Sequence, residues 1–472
     1  MPDTPSPRPS LLRRLRALPA RLGPLWWYGA LLFCANRLGD AVNLYAGACL
    51  IPARVSAERL GAVRPLLLLA ALLATPAGFL VTPAEKFFNV FHERRQYGRA
   101  KALLRDATLA VCGLVAVSAA VLAVRPGPIL ERLRLDLDDR VLLVLTVLLG
   151  ATGSLRPLVQ AAARAFQRFA AVVWSGVPGS FVRLAVLWAL LGTWPLRGYL
   201  CAQIAADAAC IAIALAAAVR FLRVRAARCE SYRDARGEMA RFAAPLVLCN
   251  LLGTGQAFVE AFVIRQRLPA SDSAADYFVQ MLAMLPFYFG DAIAAFLFPI
   301  LSSRHESGRD TGRMLRQAMA GSLAIGLGCT ALLAVVSPWV LSLRPDWVLA
   351  QPFAWLVAVV ALGKTFRMVA NCFLLREQAC RRFGFLWHYA PILAVSSLGL
   401  YALEGWDFFR PLLPARLWAR VAAWPRASLP FILCWGVAWN AAVLAAVLLH
   451  GVLRRHRGRL RPPHPDPSAI TD

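Results

Sequence analysis

The chain has 472 residues, 59% of them hydrophobic, and a formal net charge of +26. An apolar share this far above the roughly 45–50% of soluble domains excludes an ordinary water-soluble enzyme or binding module. The charge does not point to nucleic acid either, because the basic residues stand in short blocks at the ends of apolar runs, not along one stripe.

An apolar run of roughly 20 residues crosses a bilayer as a helix, which satisfies its own backbone in lipid. The expected fold class is therefore an all-α polytopic membrane protein. In chain order, a basic N-terminal tail covers 1–23, and its segment from Leu11 to Arg21 suits a helix lying on the inner membrane surface. A cleaved signal peptide is disfavoured, since the next apolar run carries Arg37 and Asp40 and lacks a small-x-small site. Spans 1–6 are expected near 25–50, 62–82, 106–124, 140–160, 169–192 and 196–219, forming an N-lobe over 24–222. A linker over 223–241 leads to a C-lobe over 242–452. Its spans lie near 242–264, 276–301, 317–337, 350–375, 383–403 and 430–452, and the Pro-rich tail over 453–472 closes the chain.

Lys and Arg concentrate in the two tails and in the connections between spans 2–3, 4–5, 6–7, 8–9 and 10–11. The positive-inside rule places those segments, and hence both termini, in the cytoplasm. The loop over 404–429 interleaves Trp406, Phe408, Phe409, Trp418 and Trp424 with Arg, a composition that suits an interfacial anchor on the outer side. No connection is long enough to hold a soluble catalytic domain. Eleven scattered Cys without a Cys-x-x-Cys pair suit helix packing, and no metal site, catalytic residue or cofactor is expected.

Residues 88–136 overlay 298–346 without a gap, at an offset of 210 positions. Phe88, Arg94, Gly98, Arg99 and Pro128 meet Phe298, Arg304, Gly308, Arg309 and Pro338, and Leu133-Arg134-x-Asp136 meets Leu343-Arg344-x-Asp346. Six spans per repeat give both halves the same orientation, so two parallel lobes are expected about an axis along the membrane normal.

Charges inside a span cost several kcal/mol, roughly 2.5–3.5 on insertion scales, unless they face a cavity or a partner. Span 1 carries Asn36, Arg37, Asp40 and Asn43; span 5 carries Arg183, just after Gly176, Pro178 and Gly179, where a kinked or broken helix is expected. Asp207 lies in span 6, Glu260 in span 7 with Asn250, Thr254 and Gln256, and Asp291 in span 8 with Tyr288. Span 10 presents Lys364, Arg367 and Asn371 as one stripe. Two readings stand side by side. Arg37 with Asp40 and the carboxylates of Asp207 and Glu260 can be structural pairs, and Lys364 and Arg367 can snorkel to the surface. Alternatively Arg37, Arg183, Lys364, Arg367 and Asn371 line a polar path and bind phosphate oxygens, which Arg matches bidentately. In that case Asp40, Glu260 and Asp291 are candidates to hold a coupling Na⁺ or H⁺.

The segment Phe296 to Ser302, followed by the polar stretch Arg304 to Gly312 and a new span, resembles the end of the eighth span in polysaccharide (O-unit, Wzx-type) flippases. These belong to the multidrug/oligosaccharidyl-lipid/polysaccharide exporter superfamily. Asp276-Tyr277 and Pro338-x-x-Leu341 fit the same pattern, and Asn43 through Pro52 is similar to the first span of the lipid II flippase branch. With about twelve rather than fourteen spans, the chain is nearer the saccharide-unit flippases. The resemblance implies that two six-helix lobes move an undecaprenyl-pyrophosphate-linked oligosaccharide between leaflets by alternating access. It also implies membrane lipids and, as candidate partners, a polysaccharide polymerase and chain-length proteins. Two alternatives share the fold, a lipid II flippase and a cation-coupled multidrug exporter. An alternative of another class is a membrane glycosyltransferase or polymerase, for which Asp136, Asp138 and Asp139 are the available outer carboxylates.

Overall fold

In lipid every backbone amide must be paired within its own segment, and the described residues accordingly contain helices and no strand. The computed structural model describes residues 38–39, 41–124, 126–135, 140–166, 168–226, 228–290, 310–380, 382–404 and 428–460, with single positions at 293, 297, 301 and 304. α1 (Ala41–Leu50) finishes in a π-helical turn, Ala46–Leu50. It is followed by α2 (Ala57–Glu93), α3 (Tyr97–Val124), the short α4 (Pro126–Arg132) and α5 (Arg140–Ala165). α6 (Phe169–Leu190) and α7 (Pro195–Arg225) complete the first half. The second half comprises α8 (Arg233–Arg267), α9 (Ala270–Leu282), α10 (Gly312–Ser342), α11 (Ala354–Ala379), α12 (Leu386–Glu404) and α13 (Leu429–Leu460). Eight helical stretches among the described residues are long and apolar enough to cross a membrane.

Three local departures from the expected spans have physical causes. α6 runs unbroken through Pro178, so of the kink or break expected there the break is not found. Spanning helices tolerate such a proline at the cost of one backbone bond, here to the carbonyl of Trp174, and on the next carbonyl, of Ser175, the thiol of Cys210 donates at 3.0 Å. The expected eighth span is not continuous. α9 stops at Leu282, a turn occupies Ala283–Met284, and helix resumes over 285–290. Pro286 explains the interruption, because it has no N–H to give the carbonyl four residues earlier. Span 10 starts as a 3₁₀ helix, Pro345–Phe353, and becomes α-helical only after Pro352. The helices also overrun the apolar cores: α7 and α8 reduce the non-helical part of the 223–241 linker to 226–232, and α13 continues to Leu460.

Two compact units emerge, each assembled from separated stretches of sequence. The first takes the described parts of Met1–Arg54, Pro76–Val124 and Arg140–Ala240. Within it α7 presents Ala202, Ala206, Cys210, Ala214 and Ala218 at every fourth position, each at most 5% exposed. A stripe of small residues lets helix backbones approach closely, the main route to association where lipid removes the hydrophobic drive. Gly179 of α6 uses that approach: a Cβ there would stand 3.1 Å from the carbonyl oxygen of Ala206. At one end of this unit Phe88, Phe91, Phe166, Phe221 and Tyr232 form an aromatic core, with Phe166 and Phe221 stacked at 5.0 Å.

The second unit takes the described parts of Val55–Thr75, Arg125–Asp139 and Arg241–Asp472. Val55–Thr75 and Arg125–Asp139 come from the first half of the sequence, and both are tied by arginines. Arg134, held at a φ of 51°, donates to the carbonyls of Leu268 at 3.0 Å and Gln266 at 2.5 Å, at the end of α8. Arg265, 1% exposed, donates in return to the carbonyls of Leu133 at 3.0 Å and Arg134 at 3.2 Å. Carbonyls at a helix end lack partners of their own, and a guanidinium satisfies two at once. A second core around Phe373, Phe385, Tyr389 and Leu393 joins α8, α11, α12 and α13.

Candidate functional site

In the first unit the continuous α6 carries Arg183 to a position only 9% exposed. Its Nη1 donates to Asn43 Oδ1 at 2.6 Å and its Nη2 to the Tyr199 hydroxyl at 3.3 Å, while the guanidinium lies 5.4 Å from the Tyr199 ring centroid. None of these partners carries charge, and the buried Nε has no hydrogen-bond partner among the described residues. A buried cation held by neutral groups keeps capacity for an anion. Asp207 does not supply that anion, being paired with Arg156 at 2.9 Å.

The second unit contains a cavity of 230 Å³ whose lining includes Arg64, Gln256, Glu260, Lys364, Arg367 and Asn440. Two glycines seat its charged groups. A Cβ at Gly253 would lie 2.8 Å from Arg367 Nη2, and one at Gly436 would lie 2.6 Å from Glu260 Oε2. Arg367 donates through Nη2 to the Tyr389 hydroxyl at 2.5 Å, and its buried Nη1 has no partner among the described residues. Among the described residues Lys364 meets soft neighbours: Met284 Sδ lies 3.0 Å from its Nζ and the Phe287 ring centroid 5.9 Å away. The break after α9 is what turns Met284 and Phe287 toward it.

At the edge of the same cavity Arg64 bridges two carboxylates, donating from Nη2 to Glu260 at 2.7 Å and from Nη1 to Asp276 at 2.5 Å. Gln280 Nε2 adds a bond to Glu260 at 3.2 Å. Arg64 and Glu260 are about 15% and 13% exposed and Asp276 about 3%, so the cluster is shielded from water and its charges attract strongly.

Of the residues singled out by the sequence, Lys364, Arg367 and Glu260 share this cavity. Asn371, one turn beyond Arg367, is half-buried and not part of its lining. Arg183 belongs to the first unit, where its neighbour is Asn43 of α1. Arg37, Asp40 and Asp291 lie outside the described residues, as does most of Phe296 to Ser302. The sequence reading missed Arg64 altogether and took Asp276 as a motif element only. Arg64 looks like an interfacial anchor at the start of an apolar run, and its partners are about 200 positions away. The signal available was Asp276 itself, an acid at the start of a predicted span with no local base.

No family model matches the sequence, and no curated protein matches it. Solved structures do match its fold. A multidrug-resistance MATE family transporter of the MOP superfamily, in an inward-facing conformation, aligns with a TM-score of 0.63 at 12% identity, over 91% of this chain and 96% of its own. A Vibrio cholerae MATE transporter aligns at 0.58 and 15% identity, over 91% and 96%. The lipid II flippase MurJ, in an inward closed conformation, aligns at 0.58 and 11% identity, over 90% and 87%. The chain is thus a multi-pass, all-α membrane protein with the fold that these transporters share.

Proposed function

We propose that the protein flips an undecaprenyl-pyrophosphate-linked oligosaccharide from the cytoplasmic to the outer leaflet of a bacterial inner membrane, for cell-surface polysaccharide synthesis. Two six-helix lobes, 24–222 and 242–452, would expose the substrate path to each side in turn, with both termini in the cytoplasm. The observation that carries this reading is Arg367. Its guanidinium faces a cavity shared with Lys364, its buried Nη1 has no hydrogen-bond partner among the described residues, and its Nη2 donates to a neutral phenol. Cations held so are suited to the oxygens of a pyrophosphate, which Arg binds as a fork and Lys as a point charge. Arg183, also held by neutral partners, provides a second such position in the first unit. The fold shared with a lipid II flippase supports a lipid-linked substrate, and the residues at Phe296 to Ser302 support a saccharide unit.

Flipping breaks no covalent bond, so no catalytic residue is assigned. A coupling Na⁺ or H⁺ remains part of the proposal, with Asp40 and Asp291 as its candidate ligands; Glu260 already holds a cation, Arg64. Drug export is the second reading, favoured by the fold shared with MATE transporters. Lys364 and Arg367 weigh against it, because they would repel the cationic compounds such a cavity would have to admit, whereas Arg64 is neutralised by its two carboxylates. Inside-out vesicles test the choice: a labelled lipid-linked oligosaccharide should cross to the lumenal leaflet with wild-type protein and fail to cross with Arg367→Gln. Export of a cationic dye without movement of the lipid would favour the second reading.

A further inference from the structure

The same cavity is lined by three cations, Arg64, Lys364 and Arg367, and by Glu260, with Asp276 buried behind Arg64, but the cations are unequally placed. Arg64 is doubly salt-bridged, whereas Lys364 rests on a thioether and an aromatic face with no carboxylate within salt-bridge distance among the described residues. Lys364 nevertheless lines the same cavity as Arg64 and Glu260. Arg64 sits on α2, and its two acceptors sit on α8 and α9.

We propose that Glu260 and Asp276 form a single two-carboxylate seat occupied alternately by two side-chain cations, Arg64 in the conformation described here and Lys364 when Arg64 withdraws. This rests on the transport reading with 24–222 and 242–452 as its moving lobes, in which the segment carrying Arg64 parts from the helices carrying its acceptors. On that parting two carboxylates would be left bare in a low-dielectric site, which is prohibitive without a replacement cation. Lys364 is the replacement within reach. Its four-carbon stem is flexible, and its present contacts with Met284 and Phe287 are weak enough to give up. Arg367 cannot serve as readily, being held by the Tyr389 hydroxyl and stacked 5.2 Å from that ring's centroid. A tethered ammonium would then perform at this seat what a bound metal cation performs elsewhere, and the exchange would need no Na⁺. Lys364 would thus be a positioning residue for the transport cycle. Exchange also makes its ammonium available to the substrate phosphate in one phase and withholds it in the other.

A thermal-stability cycle on the full-length protein in lipid nanodiscs tests the exchange without any transported lipid. With Arg64 present, Lys364→Met should leave Tm unchanged or raise it, because an ammonium on apolar neighbours is being removed. With Arg64→Gln, the same Lys364→Met should lower Tm further, and adding Glu260→Gln should cancel most of that extra loss. Both results should be the same in sodium and in choline chloride. Arg64→Lys, which grips one carboxylate and frees the other, carries the same test if Arg64→Gln yields no folded protein. An equal effect of Lys364→Met with and without Arg64 would overturn the exchange, as would rescue of Arg64→Gln by sodium alone. A cycle of the expected form in a protein that flips no saccharide lipid would overturn the substrate reading and leave the exchange standing.

Discussion

Arg64 and Glu260, 196 positions apart, are joined by a 2.7 Å bond inside the membrane-spanning body, and the same guanidinium holds Asp276. Removing the arginine leaves uncompensated charge, a loss of about 3–5 kcal/mol for a buried pair. The two ends of the bridge are not equivalent. Arg64→Gln strands two carboxylates beside one another, whereas Glu260→Gln or Asp276→Asn leaves the arginine one acceptor. The expected order of lowered Tm in nanodiscs is therefore Arg64→Gln well above the two acid variants. Equal losses for all three would contradict the bridge.

Close approach of α6 and α7 depends on Gly179. Its Cβ would meet the Ala206 carbonyl at 3.1 Å, so Gly179→Ala should force the helices apart and lower stability by about 1–3 kcal/mol, the usual range for overpacking. Gly153, in α5, has nothing within 4 Å of the same virtual atom, and Gly153→Ala serves as the control, neutral or mildly stabilising. Detergent-melting curves of the two variants decide the matter.

His92 lies ten residues beyond the expected second span, wedged among Tyr97, Phe166 and Phe221. Burial, with Arg225 second, holds its pKa below the usual value of 6.5. The folded state therefore favours the neutral ring. Its contribution is full above the unfolded pKa of about 6.5 and is lost as pH falls from there through the folded value. His92→Phe should flatten the dependence of Tm on pH between about 7 and 5. An unchanged slope would mean that another group governs acid sensitivity.

The class of fold was legible because apolar runs of spanning length dominate the chain, and because Lys and Arg segregate to alternate connections. Local chemistry was only partly legible. Pro178 and Pro286 look alike in sequence, yet α6 absorbs the first while the second interrupts the eighth span. The difference lies in the neighbours, Cys210 and the small-residue face of α7 for Pro178, which local pattern does not carry. Of the stripe Lys364, Arg367 and Asn371, the first two share one wall of the cavity, since residues three apart on a helix share a face, and Asn371 lies outside the lining. Arg64 and Asp276 escaped because each reads as an end-of-span charge, and only their meeting across two distant stretches gives them a role. At the repeated Leu133-Arg134 corner, Arg134 donates to the carbonyls of Gln266 and Leu268 and Arg265 to those of Leu133 and Arg134, a long-range exchange that the repeat alone does not carry.

Neutral partners around Arg183 make it the more specific probe of an anionic ligand in the first unit. Arg183→Lys keeps the charge but loses the planar fork, so it should retain part of the flipping rate, while Arg183→Ala should reduce it by about 10- to 100-fold, the worth of a charge-assisted hydrogen bond. Circular dichroism and Tm of both variants distinguish loss of substrate contact from loss of the Asn43 and Tyr199 contacts. If Arg183→Ala flips at the wild-type rate, Arg183 is structural.

The most direct measurement follows a fluorescent undecaprenyl-pyrophosphate oligosaccharide in inside-out vesicles, with membrane-impermeant quencher added to the outer face. Wild-type protein should protect the label with time as it reaches the lumenal leaflet, and Lys364→Gln/Arg367→Gln should leave it quenchable while the protein remains folded. Protection at the same rate in the double variant, or in vesicles lacking the protein, would contradict a pyrophosphate carried by these two residues.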